Sequence, residues 1–323
     1  MSLTPSQFPY QISGQRLWEW RQQAQQQAQT ANIPSAEVDW LLQGLCQVDR
    51  LTLHLGIAAQ TTIPSTVSLQ DLQRCWQQRV RDRVPVQHLV GMTHWRTFTL
   101  QVSPDVLIPR PETEILIDLA VELVSKHPNG AELAQGIWVD MGTGSGAIAL
   151  GLARAFPQAQ IIATDISYEA LAIAQHNAQI NGLGDHIEFR QGTWFKPLTA
   201  WQGQLAGIVS NPPYIPSELI FNLQPEVVDH EPHLALDGGQ DGLAAVRHLA
   251  ATAPRFCIGG GLWLVELMMG QAEEVSQFLQ ATSAYGAITI HPDLAGVERF
   301  ISAQSTEANP AKLLNGEALI DNP

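Results

Sequence analysis

The stretch "GIWVDMGTGSGAIALGLA", residues 136–153, constrains the fold more than any other part of the chain. A short apolar run ends at Asp140, and Gly142, Gly144 and Gly146 then alternate with Thr143 and Ser145 before a helix of small apolar residues. Glycine lets the backbone turn tightly and approach a ligand with no Cβ in the way. A helix N-terminus placed there turns unpaired N–H groups toward that ligand. Strand, glycine turn and helix in this order open a βαβ unit. From residue 115 onward apolar helices alternate with short apolar strands, at 137–141, 160–165, 187–190, 205–210 and 260–266. That alternation predicts an α/β fold, a mainly parallel sheet with helices on both faces. Two more strands, "AITIH" and "ERFISA" within 286–303, are close enough in sequence to pair antiparallel at one edge.

The front of the chain has a different character. "SGQRLWEWRQQAQQQAQTA" is built of good helix formers. A second helix is expected after Ser35, with Val38, Leu41, Leu42 and Leu45 on one face, and a third after Ser68. The Gln-rich run 22–28 reads as the solvated face of the first helix. Residues 86–104, "VQHLVGMTHWRTFTLQVSP", alternate and are rich in Val, Thr and aromatics, which predicts a β-hairpin. The expected organisation is a helical domain over 1–85, a hairpin linker over 86–105 and an α/β domain over 106–323.

Charge and cysteine usage narrow the partners. The formal charge of the 323 residues is −14, which argues against a surface built to grip a nucleic-acid backbone. Residues 1–85 carry seven Arg, no Lys and six acids, so they sit near +1 and the remainder near −15. The front part thus meets an acidic partner more easily than the back. Cys46, Cys75 and Cys257 lie far apart, without disulfide or zinc spacing. The start "MSLTPSQFPY" has no basic segment followed by an apolar core, and no apolar run approaches the roughly 20 residues of a membrane span. The expected location is the cytoplasm, with no membrane partner.

A nucleoside cofactor fits the glycine turn. The second strand ends at Asp165, 21 residues after Gly144, where a carboxylate can accept from both ribose hydroxyls. The dinucleotide fingerprint is G-x-G-x-x-G, whereas this turn reads G-x-G-x-G behind Asp140, two residues before the first glycine. That spacing resembles the class I methyltransferases, whose cofactor is S-adenosyl-L-methionine. A carboxylate suits the ammonium of that cofactor and not a pyrophosphate, so NAD is disfavoured. In the same family adenine is held after the third strand, where "QGTWF" makes Trp194 a candidate wall.

The fourth strand ends in "SNPPYIP", 210–216, beside the expected cleft. A planar NH2 group conjugated to a carbonyl or a ring is a poor nucleophile because its lone pair is delocalised. Holding both of its N–H bonds with fixed acceptors aims that lone pair. The Asn211 side-chain oxygen and the Pro212 carbonyl can do so, and Pro212 and Pro213 fix φ, so the acceptors are set before the substrate arrives. Tyr214 offers a flat face to a flat group. Direct in-line transfer needs neither metal nor covalent nucleophile, and no general base is assigned. The motif serves glutamine amides, adenine N6 and guanine N2 alike, so it does not choose the substrate.

Three segments do. "VLIPRPETEILID" (106–118), "NPPYIP" and "EPHLALDGGQDGL" (231–243) together resemble the release-factor glutamine N5-methyltransferase family, over essentially the whole chain. The resemblance implies a class I methyltransferase fold, Rossmann-like with a mainly parallel seven-stranded sheet, a small helical N-terminal domain and a β-hairpin linker. It implies methylation of the glutamine in the Gly-Gly-Gln motif of bacterial peptide chain release factors, with the N-terminal domain helping to dock the factor. Carried over by position, Gly142, Thr143, Gly144, Ser145, Gly146, Asp165, Trp194 and Asn211 would hold the cofactor. Asn211, Pro212, Pro213 and Tyr214 would hold the glutamine, with Arg110 and Glu112 shaping the cleft. Of these, Asn211, Pro212 and Tyr214 are the candidate catalytic residues. Glu231, Pro232, His230 and His233 read as loop architecture. One departure stands out: the family commonly has Glu, one residue, Gly after the fifth strand, and here Gly270 follows Glu266 by four, which weakens any role for Glu266. The competing readings are a nucleic-acid base N-methyltransferase, which calls for a basic recognition surface, and an inactive cofactor-binding regulator.

Overall fold

The structure, a computed structural model, describes residues 8–56, 58 and 60–306. The first seven residues, on which the expectation of no leader segment partly rests, lie outside the described residues. Two compact units form. The first runs up to Thr93 and takes in Val102–Pro104 and Leu223–Glu231; the second comprises His94–Gln101, Asp105–Asn222 and the chain from Pro232.

The first unit contains β1 (Tyr10–Ser13), α1 (Gly14–Thr30), α2 (Ala36–Leu45), α3 (Arg50–Leu55), β2 (Thr62–Ser65), α4 (Leu69–Arg81) and α5 (Val86–Val90). Leu17, Trp20, Ala24 and Ala28 form the buried stripe of α1, and the intervening glutamines stay at the surface. That stripe meets Val38, Leu41, Leu42 and Leu45 of α2 and Leu72 and Trp76 of α4 in one core. Each such large side chain contributes about 1.5–3 kcal/mol by leaving water. Ser68 caps α4 by accepting from Asp71 N at 3.1 Å, whereas Ser35 holds the cap position of α2 with no side-chain bond. The pairing of β1 with β2, Ile12 opposite Ile63, was not expected from the sequence.

At the end of this unit the structure corrects the reading of residues 86–104. Val86–Val90 is a helical turn, bracketed by Pro85 at its start and a left-handed Gly91 at its end, φ 76°. Proline before and glycine after are the punctuation of a helix, and here they prevail over β-branched composition. Only β3 (Met92–Trp95) and β4 (Phe98–Gln101) make the hairpin, turning at Arg96 with φ 51°.

The second unit carries α6 (Ile115–Lys126), α7 (Gly130–Leu133), β5 (Ile137–Met141), α8 (Ala147–Ala155), β6 (Gln160–Asp165), α9 (Tyr168–Ile180), β7 (Ile187–Gln191) and β8 (Leu205–Ser210). After the short α10 (Pro225–Val228), part of the first unit, come α11 (Ala244–Thr252), β9 (Cys257–Glu266), α12 (Ala272–Thr282), β10 (Tyr285–Pro292) and β11 (Glu298–Ser305). The seven strands run in the order β10-β11-β9-β8-β5-β6-β7. β11 pairs antiparallel with both neighbours and the rest are parallel. The expected antiparallel pair is therefore present, with β11 slotted between β10 and β9.

Both faces of the central strands are covered, which is why β5, β6 and β8 read as largely apolar runs. Trp138, Ile161, Val209 and Leu264 face one core with α6, α8 and the hairpin's Trp95, Phe98 and Leu100. Val139, Ile162, Ile208 and Trp263 face the other with α11 and α12. Gly207 is dictated by this packing, because a Cβ there would come within 2.4 Å of the Trp138 ring. The hairpin's edge is met by two asparagines of the α9 region. Asn177 exchanges bonds of 2.7 and 3.0 Å with the Gln101 backbone, and Asn181 Nδ2 donates to the Thr99 carbonyl at 2.9 Å.

The segment Leu223–Glu231 is tied into the first unit by charge. Arg79, 3% exposed, grips both Glu37 oxygens at 2.5 and 3.1 Å, and its other terminal nitrogen lies 2.9 Å from Glu226. Arg83 reaches the same Glu226 oxygen at 2.6 Å.

Candidate active site

β5, β8 and β9 end side by side, and the turns that leave their C-terminal ends build the site. After β5 the backbone N–H groups of Gly142 and Thr143 both donate to the Thr164 carbonyl of β6 at 2.9 Å, and Gly146 N–H closes the turn on the Thr143 carbonyl at 2.8 Å. Gly142, Gly144 and Gly146 take φ of 75°, 52° and 86°, a region that costs other residues roughly 1–2 kcal/mol. The three differ in surroundings. A Cβ on Gly146 would press on Ala174 at 3.0 Å, while one on Gly144 would meet nothing within 4 Å. Gly146 is thus fixed by packing against α9, and Gly144 lines open space. Ser145 is buried, and its carbonyl accepts from Asn177 Nδ2 at 2.8 Å, so one asparagine fastens the turn to the hairpin.

Asp140 is fully buried. Its Oδ2 accepts from Thr143 Oγ1 at 2.6 Å and Ala149 N–H at 2.9 Å, and its Oδ1 has no hydrogen-bond partner among the described residues. Burial pushes this carboxyl up to about 7, against the pull of those two donors. Asp165, at the end of β6, accepts from Gly144 N–H through Oδ2 and from Ser167 N–H through Oδ1, each at 2.9 Å. Its carboxyl is also raised by burial. It acts first as a brace for the glycine turn, and each oxygen keeps a lone pair. Trp194 holds a left-handed backbone, φ 48°, rare for an aromatic residue. Its ring edge lies 4.0 Å from where a Gly142 Cβ would be, so turn and indole share one wall.

The strand β8 ends at Ser210, whose hydroxyl donates to the Met141 carbonyl of β5 at 2.6 Å. Asn211 comes next. Its Nδ2 donates to Thr113 Oγ1 at 3.2 Å, and Thr113 in turn donates to Glu266 Oε2 at 2.7 Å. The Tyr214 hydroxyl donates to the other Glu266 oxygen, Oε1, at 3.2 Å. Pro212 is buried and Pro213 half-buried between these two anchors. The Tyr214 carbonyl accepts from Gln271 Nε2 at 2.9 Å, and Gln271 Oε1 accepts from Met268 N–H at 2.9 Å. Gly242 supplies room for that contact, since a Cβ there would lie 2.3 Å from the Tyr214 carbonyl oxygen. Below Tyr214, Ile215 bonds both ways with the strand-like stretch Leu236–Gly238, so "LALDGGQDGL" is the floor under the motif.

The sequence-derived residues thus fall into two groups, and the structure adds side chains that the sequence did not suggest. Glycine turn, Asp165 and Trp194 form one group; Asn211 to Tyr214 form the other. Arg110 and Glu112 touch the second electrostatically. The guanidinium of Arg110 offsets part of the upward push that burial and Glu266 give the Tyr214 hydroxyl, and exposed Glu112 adds to the burial that raises Glu266. Thr113, Glu266, Gln271 and Asn177 were not singled out as site residues from sequence. Only Glu266 had a signal, its unusual distance from Gly270, and the structure leaves it buried, accepting from Thr113 and Tyr214. His230 sits in a loop as expected, with Nε2 2.6 Å from the Asp82 carbonyl.

Residues 116–253 match the methyltransferase small domain, and residues 19–91 match the PrmC N-terminal domain. The solved catalytic domain of hMettl16 in complex with MAT2A 3'UTR hairpin 6 has a TM-score of 0.52 at 14% identity, covering 83% of this chain and 89% of that one, a likeness of fold. The release factor glutamine methyltransferase of Synechocystis sp. is 50% identical over 297 residues, 91% of this chain and 98% of that protein. The proteins of the same description from Thermosynechococcus vestitus and Gloeobacter violaceus are 45% and 43% identical, over 90% and 87% of this chain and 98% and 94% of those proteins. With both halves matched and relatives this similar along nearly its whole length, the chain belongs to the release factor glutamine methyltransferase family.

Proposed function

We propose that this chain transfers a methyl group from S-adenosyl-L-methionine to the side-chain amide nitrogen, N5, of the glutamine in the Gly-Gly-Gln motif of bacterial peptide chain release factors. The residues present fit the cofactor. Asp140 Oδ1 is a buried oxygen with no partner among the described residues, suited to an ammonium, and the space beside Gly144 is free of protein atoms within 4 Å of a would-be Cβ. Asp165 keeps lone pairs for ribose hydroxyls, and Trp194 supplies a flat wall for an adenine. When bound, S-adenosyl-L-methionine supplies the electrophilic sulfonium methyl.

The observation that carries the reading is the bond from Asn211 Nδ2 to Thr113. With its nitrogen committed there, Asn211 offers Oδ1 to the substrate as an acceptor. An acceptor is what an NH2 group needs. The Pro212 carbonyl is the second acceptor, and two prolines in sequence limit its motion. Tyr214, its hydroxyl tied to Glu266, is held as the surface against which the planar amide lies. Two fixed acceptors orient the amide nitrogen, so most of the rate gain is positional. The methylated nitrogen is cationic until it releases a strongly acidic proton, and no side chain is assigned to remove it. Residues 1–85, near neutral in net charge where the remainder is strongly acidic, are assigned to docking the factor, and the reaction is assigned to the cytoplasm.

The test is incubation of purified release factor with isotopically labelled S-adenosyl-L-methionine, then mass spectrometry of the product. One methyl group on the Gly-Gly-Gln glutamine is expected. The Asn211→Ala variant is expected to lose most turnover while cofactor affinity stays within about tenfold. Label found on DNA or rRNA and not on the factor would reject the reading.

A further inference from the structure

Resting on the activity just proposed, the geometry points to Glu266 as a positioning residue for the methyl transfer: it sets which way the Asn211 carboxamide faces and anchors the far end of the same tetrapeptide. The register of the sheet brings it there. Ser210 at the end of β8 pairs with Val265 of β9, so the next residues along, Asn211 and Glu266, are neighbours. Thr113 arrives from the turn that opens α6, far away in sequence, and fills the gap between them.

Proton accounting fixes the direction of the chain. An ionised carboxylate only accepts, and a threonine hydroxyl has one proton to donate. That proton goes to Glu266 Oε2 at 2.7 Å, so Thr113 Oγ1 faces Asn211 as an acceptor. The group that satisfies it is the Asn211 NH2, at 3.2 Å. The carboxamide oxygen is thereby turned the other way. Were Glu266 replaced by a group that donates, the Thr113 proton would be released toward Asn211, whose oxygen could then turn to receive it. Asn211 would present NH2 to a substrate NH2, donor against donor. At the other end the Tyr214 hydroxyl donates to Oε1, and Gln271 holds the Tyr214 carbonyl. One carboxylate thus sets both ends of Asn-Pro-Pro-Tyr.

A purely structural role accounts poorly for this residue. Glu266 is 2% exposed and the hydrogen bonds it accepts from Thr113 and Tyr214 come from neutral hydroxyls, an arrangement that costs a fold stability relative to an apolar side chain of similar size. Burial also raises its carboxyl, against the pull of Thr113, Tyr214 and Arg299.

The experiment compares wild type, Glu266→Gln, Thr113→Val, Thr113→Ser and the double variant Glu266→Gln/Thr113→Val. kcat and KM are measured on unmodified release factor, and cofactor affinity by calorimetry. Thr113→Val keeps shape but removes the relay, and is expected to lower kcat about tenfold to a hundredfold, the worth of one hydrogen bond to a charged group. KM and cofactor affinity should move less than about threefold, a readout that loose packing would not spare. Thr113→Ser restores the hydroxyl and should return kcat to within about threefold of wild type. Glu266→Gln should lose at least as much as Thr113→Val, and the double variant no more than Glu266→Gln alone, because both act through one relay. If Glu266→Gln fails to fold, the Val and Ser pair at 113 still decides. Equal kcat in that pair, or a loss confined to KM, overturns the role of Glu266 while leaving the activity standing. A wild-type protein that labels no release factor overturns the activity and the inference with it.

Discussion

Replacing Asp140 by asparagine should change stability in a way that depends on pH with a sign opposite to that of most paired carboxylates. In the folded protein Asp140 is fully buried and its carboxyl is pushed up to about 7, from an ordinary 3.8. The folded state therefore holds a proton that the unfolded chain has already lost between those two values. Where the native state binds more protons, stability falls as pH rises. The contribution is complete below about pH 4, declines through the interval and is gone above the folded value. At about 1.36 kcal/mol per pH unit the whole span is about 4 kcal/mol, of which about 2.5 kcal/mol falls between pH 5 and pH 8. Asparagine has no such titration. Its oxygen can take over the bonds from Thr143 and Ala149, and its NH2 replaces the oxygen that has no partner among the described residues, at a fixed cost of about 1–3 kcal/mol. The fixed cost cancels when one pH is compared with another, as do all other titrations common to both proteins. The assay is urea unfolding at pH 5, 6, 7 and 8, read by pulse hydrogen exchange of the Ile137–Met141 amides so that the transition belongs to the methyltransferase unit. The variant should gain about 2.5 kcal/mol on wild type between pH 5 and pH 8, while its affinity for S-adenosyl-L-methionine drops. A stability difference that stays constant across those four pH values would refute the argument, because it would mean that Asp140 does not carry its charge into a dry site.

Two glycines of the turn should separate packing from ligand space. Gly146→Ala presses a methyl on Ala174 at a backbone angle of 86° and is expected to cost at least about 2 kcal/mol in thermal unfolding, whereas Gly144→Ala, with nothing to meet, should cost about 1 kcal/mol yet weaken cofactor binding about tenfold by calorimetry. In the first unit, Arg79→Met leaves Glu37 and Glu226 without their shared guanidinium and should lower stability by about 2–4 kcal/mol, read as a drop in urea midpoint at the amides of α4.

Much of the central sheet could be read directly because β5, β6 and β8 are buried on both faces and bounded by glycine or by a polar residue. The expected strands at 137–141, 160–165 and 205–210 match β5, β6 and β8 residue for residue, and β9 differs only by starting three residues earlier, at Cys257. What misled was composition taken without punctuation. Residues 86–90 are rich in valine, as a strand would be, but Pro85 and Gly91 mark out a helical turn. Long-range pairing left no local trace. Ion pairs from Arg79 and Arg83 place Glu226 in the helical unit although 143 residues separate Arg83 from it, and the sequence around Glu226 shows only a short helix opened by Pro225. The candidate site divides the same way. Asn-Pro-Pro-Tyr was visible because its proline pair and carboxamide are unusual side by side, while Thr113 is one hydroxyl among many and acquires meaning only from Glu266, 153 residues on.

β8 lies between two strands that each carry a buried acid near the C-terminal end, Asp140 on β5 and Glu266 on β9, and the contacts of the two acids differ. Both are raised by burial, so both reduce the stability of the fold, and among the described residues neither has a bonded cation to offset that cost. Asp140 gives one oxygen to the turn and keeps the other without a partner among the described residues. Glu266 gives both oxygens to protein hydroxyls, the state of a group that organises its neighbours. The proposed reading therefore assigns the two acids different purposes. A ligand-facing acid should change its pH behaviour when cofactor binds, because the arriving ammonium stabilises its charged form. An acid already satisfied by Thr113 and Tyr214 should not. Titrating the two carboxyls by carbon-13 NMR with and without S-adenosyl-L-methionine should show Asp140 shifting downward by at least about one pH unit and Glu266 holding its position. Equal shifts at both would mean that the division of labour drawn from their hydrogen bonds is wrong.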